Sequence, residues 1–508
     1  MWTGGGGMSS AASRTTSDGG GNQTADAEVG RTQRFRLATA VRQRFDQVFP
    51  THWSSLLAQV AVGSFIVLVL SGIYLEFFFD PSMADTVYNG PYENLHGVGM
   101  THAFQSTLAI TFEHRGGLFI RQLHNWASSL FIASLLASLV VKFFIGAFRK
   151  PRHTVWMVSV GLLFVAVMGA FTGLLLPDDM LSGTSLRMTS GYILSIPVVG
   201  TWLHWMVFGG EFPGTQVLPL MHVAHLLIPV AIVGLFVLRA RLLRKHGYPQ
   251  AAGEGRTETN VVGLRGRAYA IRSAAMYAVT IGVLGVMAAV FQVNPVWQYG
   301  PADPADVSAG STSPWFFGWV DGAVRLMPAW EIHLGNYTIP PWFWPSMVFL
   351  PLSFIAFAVY PLVEARFTRD TAEHHLVQRP RDVPVRTSLG MLVATFYACL
   401  QLAAATDVIA FTFNLSADAV YWGARIAIFV LPGCAYWVTY RICLGLQRSD
   451  RTVLEHGVET GNIRRMPNGA FIEVHHPLGG VDEHDHPIPL PYKGTPVPKR
   501  MNQLKAAH

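Results

Sequence analysis

Charge is scarce in this chain: 13% of its 508 residues are Asp, Glu, Lys or Arg, while 51% are hydrophobic. A soluble domain carries roughly 25% charged residues. Here the apolar residues also fall in long blocks, the pattern of a membrane protein rather than a soluble enzyme. Cysteine is scarcer still. Cys399, Cys434 and Cys443 all lie in apolar blocks, with no CxxC pair and no CxxCH. That argues against a disulfide framework, a cysteine zinc site and a covalently attached haem, and leaves free thiols in helices. An internal repeat, a phosphate-binding loop and a secretory signal are missing too. Met1 to Gly30 is rich in Gly, Ser and Thr without an apolar core, which predicts a disordered tail. A basic stretch from Arg31 to Arg44 follows it.

What is present is a series of apolar runs. A spanning helix needs about 20 mostly apolar residues, and eight runs qualify. They are Leu56 to Phe79, Leu123 to Phe148, Val155 to Leu176, Leu218 to Leu238, Ala274 to Val293, Trp342 to Val363, Leu389 to Ala410, and Ala419 to Leu444. Basic residues orient the set. With the N-terminus inside, 32 of the 37 Lys and Arg fall on the inner side. Only Arg115, Arg121, Arg187 and Arg325 fall on the outer side, with Arg425 inside a helix. This asymmetry predicts a multi-pass protein of the plasma membrane with both termini cytoplasmic. The net charge of +6 therefore reads as topology, not as nucleic-acid binding.

The outer loops carry Asp80, Asp85, Glu93, Asp178, Asp179, Asp303 and Asp306 among Pro, Gly and aromatic residues. Long ordered loops of this kind are usually functional. The tail after Gln447 is polar and holds His475, His476, His484 and His486. It reads as solvated, with a histidine metal site as the minor alternative.

Histidine inside a spanning helix is a functional candidate. His124 and His225 lie near the outer ends of the second and fourth spans, which run the same way across the membrane. Two imidazoles at one depth across a bundle suit the axial positions of a haem iron. Arg121, one turn before His124, suits a haem propionate. An ordinary interfacial histidine at a helix start fits the spacing equally well.

Several stretches decide between these readings. They are FFFDPSMADTVY (Phe77 to Tyr88), RGGLFIRQLHNW (Arg115 to Trp126), GAFRKPR (Gly146 to Arg152), LPDDMLS (Leu176 to Ser182), LSIPVVGTW (Leu194 to Trp202), GGEFPG (Gly209 to Gly214), EHHLVQRPR (Glu373 to Arg381) and RICLGLQ (Arg441 to Gln447). With these strings in order, the chain resembles the cytochrome b subunit of the actinobacterial-type cytochrome bc1 complex, as a divergent member. The resemblance covers nearly everything after the N-terminal tail.

It implies an all-α integral membrane fold with eight transmembrane helices, a haem-binding four-helix bundle followed by C-terminal helices. The implied division is a tail (1–30), a haem-binding domain (31–245), a cytoplasmic linker (246–273), a C-terminal membrane domain with a quinol-site-like loop (274–447) and a cytoplasmic tail (448–508). Two haems b in this family stack between the second and fourth helices. Each helix supplies two histidines, fourteen residues apart on the second. Fourteen residues make about four turns, so both share a face with a rise of about 21 Å. Small residues equivalent to Gly72, Gly169 and Gly173 give the porphyrin room, although helix packing alone also uses such residues.

The same resemblance implies electron transfer from menaquinol. One electron goes to a Rieske iron–sulfur protein and a cytochrome c subunit; the other crosses two haems to an inner quinone site. It further implies a homodimer in lipid, with a terminal oxidase as a further partner.

Two departures stand out. The position fourteen after His124 is Ser138, and that fourteen after His225 is Arg239. Serine is a poor axial ligand, and arginine does not deprotonate to bind iron. The expectation is one haem b, on His124 and His225, with the inner haem absent. Alone, Ser138 reads as bonded to its own backbone and Arg239 as snorkelling to the surface.

The second departure lies in the quinol loop. Gly310–Ser311 and Trp319 to Gly322 frame the family's motif of proline, acid, aromatic and tyrosine. Here it reads Ser313, Pro314, Trp315, Phe316. Neither the proline nor the phenylalanine takes a proton, so the general base is lost. Asp321, and less directly Glu331, are the nearby acids that could substitute. The expectation is a bc1-type cytochrome b without a full bifurcating cycle, since a gap of about 20 Å breaks the cross-membrane path. The alternative is a single-haem or haem-free membrane scaffold without quinol turnover. A transporter fits poorly, because no broken helix pair suggests inverted repeats.

Overall fold

In lipid a backbone must satisfy its own hydrogen bonds, so long apolar runs become helices. The computed structural model describes residues 46–253, 255–305, 313–484, 486–494 and 497–498. The expected tail to Gly30, the basic stretch to Arg44, Asp306 and the Gly310–Ser311 frame lie outside these. Among the described residues, eight helices are long and apolar enough to cross a membrane. They are α1 (Ser54–Glu76), α2 (Gly117–Phe144), α3 (His153–Leu175), α4 (Val217–His246), α5 (Gly266–Val290), α6 (Leu350–Thr368), α7 (Pro384–Ala403) and α8 (Ala417–His456). Strands are short and lie outside the spans. The expected all-α membrane architecture is therefore the one observed.

Hydroxyls inside the spans turn back on their own helices: Ser71 donates to the Val67 carbonyl at 2.6 Å and Ser159 to that of Val155 at 2.7 Å. α1 packs against α2 and α5, α3 against α4, α6 against α3, and α7 against α8. The outward faces stay apolar, with Val230, Phe411 and Phe429 largely exposed, as lipid contact requires. One buried core runs through the first four helices, including Phe65, Phe131, Leu135, Leu139, Leu163 and Ile232.

Two boundaries differ from the sequence reading. α7 ends at Ala403, and residues 406–412 form a separate helix, because Asp407 turns to pair with Arg325. α8 continues to His456, past Leu444. Its polar end is anchored by Asp450, only 1% exposed, which accepts from Arg381 at 3.2 Å. A π-helical stretch, Trp344–Phe349, leads into α6 where Pro345 removes a helix donor.

The EHHLVQRPR segment ties the loops together at one end of the bundle. Leu376–Val377 pairs in parallel with Gln250–Ala251, and Arg152 donates to the His374 and Ala147 carbonyls. Part of the polar tail is ordered: Val458–Arg465 pairs antiparallel with Phe471–His476.

Candidate functional site

α2 brings His124, and α4 brings His225, into the bundle facing each other. Their ring centroids lie 6.3 Å apart with planes at 62°. The other ring nitrogen of each is held. His124 Nδ1 lies 2.9 Å from Ser71 Oγ, whose own proton goes to Val67. His225 Nδ1 lies 3.0 Å from the Gly169 carbonyl and 3.0 Å from Thr172 Oγ1. A carbonyl only accepts, so Nδ1 of His225 carries the hydrogen. Ser71 has used its proton, so Nδ1 of His124 carries one too. Both Nε2 atoms therefore present lone pairs, and neither has a partner among the described residues. This is how metal-ligating histidines are oriented. Such a pair would hold a metal-centred group between the two rings.

Glycine makes the room. A Cβ on Gly173 would lie 2.7 Å from Cε1 of His225, and one on Gly169 would lie 3.0 Å from Ile228. At Gly72 the contact to His124 would be an ordinary 3.4 Å. Arg121, 6% exposed, donates from Nη1 to the Asn294 carbonyl at 3.0 Å and lies over the Trp297 ring. Its Nε and Nη2 are buried with no partner. Such donors suit a carboxylate. The residues present thus fit a flat, metal-centred group with acidic substituents.

The other end of the bundle is built differently. Ser138 does not bond its own backbone: its hydroxyl accepts from Lys142 Nζ at 2.6 Å. Arg239 does not snorkel outward. Its Nε donates to Ser159 Oγ at 3.0 Å, because α3 offers an acceptor there and turning outward would forgo it. Among the described residues no histidine pair faces across this level. Between the two ends, the rings of Phe65, Phe131 and Phe236 pack on one another at 5.5 to 6.2 Å.

Ser313 to Phe316 form the turn that enters the helix Gly318–Leu326, with the Pro314 carbonyl accepting from Phe317 and Gly318. Phe317 packs edge-on against Phe171 of α3, which ties this loop to the four-helix bundle. Asp321 is 7% exposed and accepts from Arg325 Nε at 3.2 Å, while Arg325 also reaches Asp407. Burial pushes the Asp321 carboxyl up; Arg325 and a hydrogen bond from Ser313 oppose that. Glu331 is exposed near His333 and does not join the loop.

Three acids escaped the sequence reading as site residues. Asp178 and Asp179, in LPDDMLS, are buried rather than displayed on a loop. Asp178 borders a cleft of about 310 Å³ shared with Thr101, Arg187, Thr215 and Asp303. It accepts from Thr101 at 2.7 Å, and burial pushes its carboxyl up to about 6. Asp179 caps the helix Met180–Leu194 through the Ser182 amide and is an electrostatic partner of Arg121. Glu76 pairs with His222, one turn before His225, at 2.9 Å. Histidine in a span was the available signal there.

The comparisons name this arrangement. Residues 129–301 match the family described as cytochrome b (N-terminal)/b6/petB. The cytochrome bc1 complex cytochrome b subunit of Mycobacterium leprae (strain TN) is 51% identical over 93% of this chain and 86% of its own length. The chain belongs to this cytochrome b family. The subunit of Corynebacterium efficiens is 48% identical over 95% of the chain and 90% of its own, and that of Streptomyces coelicolor 42% over 91% and 85%. A solved structure titled hyperthermophilic respiratory Complex III shares the fold, with a TM-score of 0.57 at 17% identity. It covers 80% of this chain and 98% of its own. Within this cytochrome b, His124 and His225 face each other, whereas Ser138 and Arg239 hydrogen-bond Lys142 and Ser159.

Proposed function

We propose that this cytochrome b works as the membrane subunit of a bc1-type complex and binds one haem b, between His124 and His225. The observation that carries this is the pair of imidazoles 6.3 Å apart, each with Nδ1 held and Nε2 open. When bound, the haem supplies one-electron redox chemistry. Ser71, Gly169 and Thr172 fix the tautomer and angle of the ligands. Arg121 offers its free donors to a propionate. The basic asymmetry of the sequence supports cytoplasmic termini, with this site toward the outer side.

Ser138 and Arg239 provide no axial ligands, and the packed Phe65, Phe131 and Phe236 favour a bundle with a single haem. A second carrier would stand about 20 Å away. Its loss leaves no path for full bifurcation. Menaquinol, a Rieske protein and a cytochrome c subunit are the partners that the family implies. A second reading, a membrane scaffold without quinol turnover, is favoured by one observation. Pro314 and Phe316 carry no titratable group, and the buried acid nearby, Asp321, is already paired with Arg325.

Haem b per polypeptide, from a reduced-minus-oxidised spectrum of the purified protein, tests the proposal. One haem is expected. Two would overturn the single-haem assignment, and none would leave the scaffold reading.

A further inference from the structure

Lys142 and Arg239 are half-buried on α2 and α4, at the end of the bundle away from the histidines, where Arg239 reaches across to α3. Each has one hydrogen-bond partner, a serine hydroxyl: Ser138 at 2.6 Å and Ser159 at 3.0 Å. An ammonium has three donors and a guanidinium five. Two of the former and four of the latter have no acceptor among the described residues. Among the described residues neither cation has an acid within ion-pair distance. The groups that act electrostatically on Arg239 are Tyr248 and Tyr269, and Arg239 acts on Lys142 as a like charge.

Several other part-buried cations here are matched by acids. Arg386 pairs with Glu364, Arg379 and Arg381 with Asp450, and Arg325 with Asp321 and Asp407. Cations within spans face the bundle interior and need a counter-charge. Lys142 and Arg239 have none among the described residues, and Arg239 acts on Lys142 as a like charge, a combination that suits a bound anion.

We propose that Lys142 and Arg239, steadied by Ser138 and Ser159, bind a phosphate group at this end of the bundle, at the level where the family would carry its second haem. The guanidinium fork matches two phosphate oxygens, and the ammonium adds a point charge. Lys142 is in the last turn of α2 and Arg239 two turns from the end of α4, so the site sits near headgroup depth. Basic sites between helices at that depth bind phospholipid headgroups; free phosphate offers the same chemistry. The inference rests on the single-haem reading.

The test uses the full chain in detergent with its haem counted. Thermal unfolding is followed with added phosphatidylglycerol, with phosphatidylcholine, and with inorganic phosphate against chloride at equal ionic strength. Phosphatidylglycerol or phosphate is expected to raise the melting temperature, and the two arms separate lipid from free anion. The double variant K142M/R239L should bind about tenfold more weakly or worse, while R239K, which keeps the charge, should retain most of the effect. One haem with no anion-dependent shift, or an equal shift in K142M/R239L, overturns the inference alone. Two haems per chain overturn the reading beneath it.

Discussion

A Cβ on Gly173 would sit 2.7 Å from Cε1 of His225, so the imidazole occupies its place only because α3 has no side chain there. The equivalent contact between Gly72 and His124 is 3.4 Å, ordinary packing. The two glycines therefore differ in consequence. G173A is expected to displace His225 and lose most of the bound haem, whereas G72A should keep it. Difference spectra of the two purified variants check this. Equal haem content in both would show that the glycine on α3 serves helix packing only.

The Asp178 carboxyl is raised from 3.8 to about 6, chiefly by burial. A raised carboxyl binds its proton more tightly in the folded chain, so ionisation costs stability. That cost is complete above about pH 6 and disappears as pH falls toward the unfolded value near 4. D178N keeps an acceptor for Thr101 and removes the charge. It should stabilise the protein by up to about 3 kcal/mol at pH 7.5 and by nothing near pH 4. Melting curves of both proteins across this range decide it; a pH-independent difference would mean the carboxylate is not the cause.

The spans and the histidine pair were readable because hydropathy and helical period are local properties of the chain. Arg239 was not. Whether an arginine snorkels or turns inward depends on an acceptor elsewhere, here Ser159, 80 residues earlier. Asp178 has the same character: its burial depends on Thr101, 77 residues upstream. The end of α7 escaped for a similar reason, since Asp407 leaves the apolar run to meet Arg325. Glu331 was named by closeness in sequence, but the hairpin it begins turns it to the surface.

Restoring the two family ligands tests how far the bundle has diverged. The variant S138H/R239H places imidazoles at both positions, yet Phe65, Phe131 and Phe236 still pack on one another between that level and the outer pair. Close-packed rings do not yield the volume of a porphyrin without a large packing cost. The haem count of this variant is therefore expected to stay at one. A count of two would show that ligands alone limit the second site.

Asp321 is the remaining candidate for the proton acceptor missing from Ser313 to Phe316. Its partners argue for a structural role. It is 7% exposed, holds Arg325 at 3.2 Å and bonds Ser313, so its lone pairs are engaged at the start of the helix Gly318–Leu326. Arg325 keeps Asp407 when Asp321 is neutralised, which limits the loss. D321N should therefore destabilise the protein by about 1 kcal/mol. Menaquinol oxidation, measured with the Rieske partner present, should stay at the level of the parent chain. Loss of an inhibitor-sensitive rate at unchanged melting temperature would instead make Asp321 the group that takes the quinol proton, and the loop would then be functional despite Pro314 and Phe316.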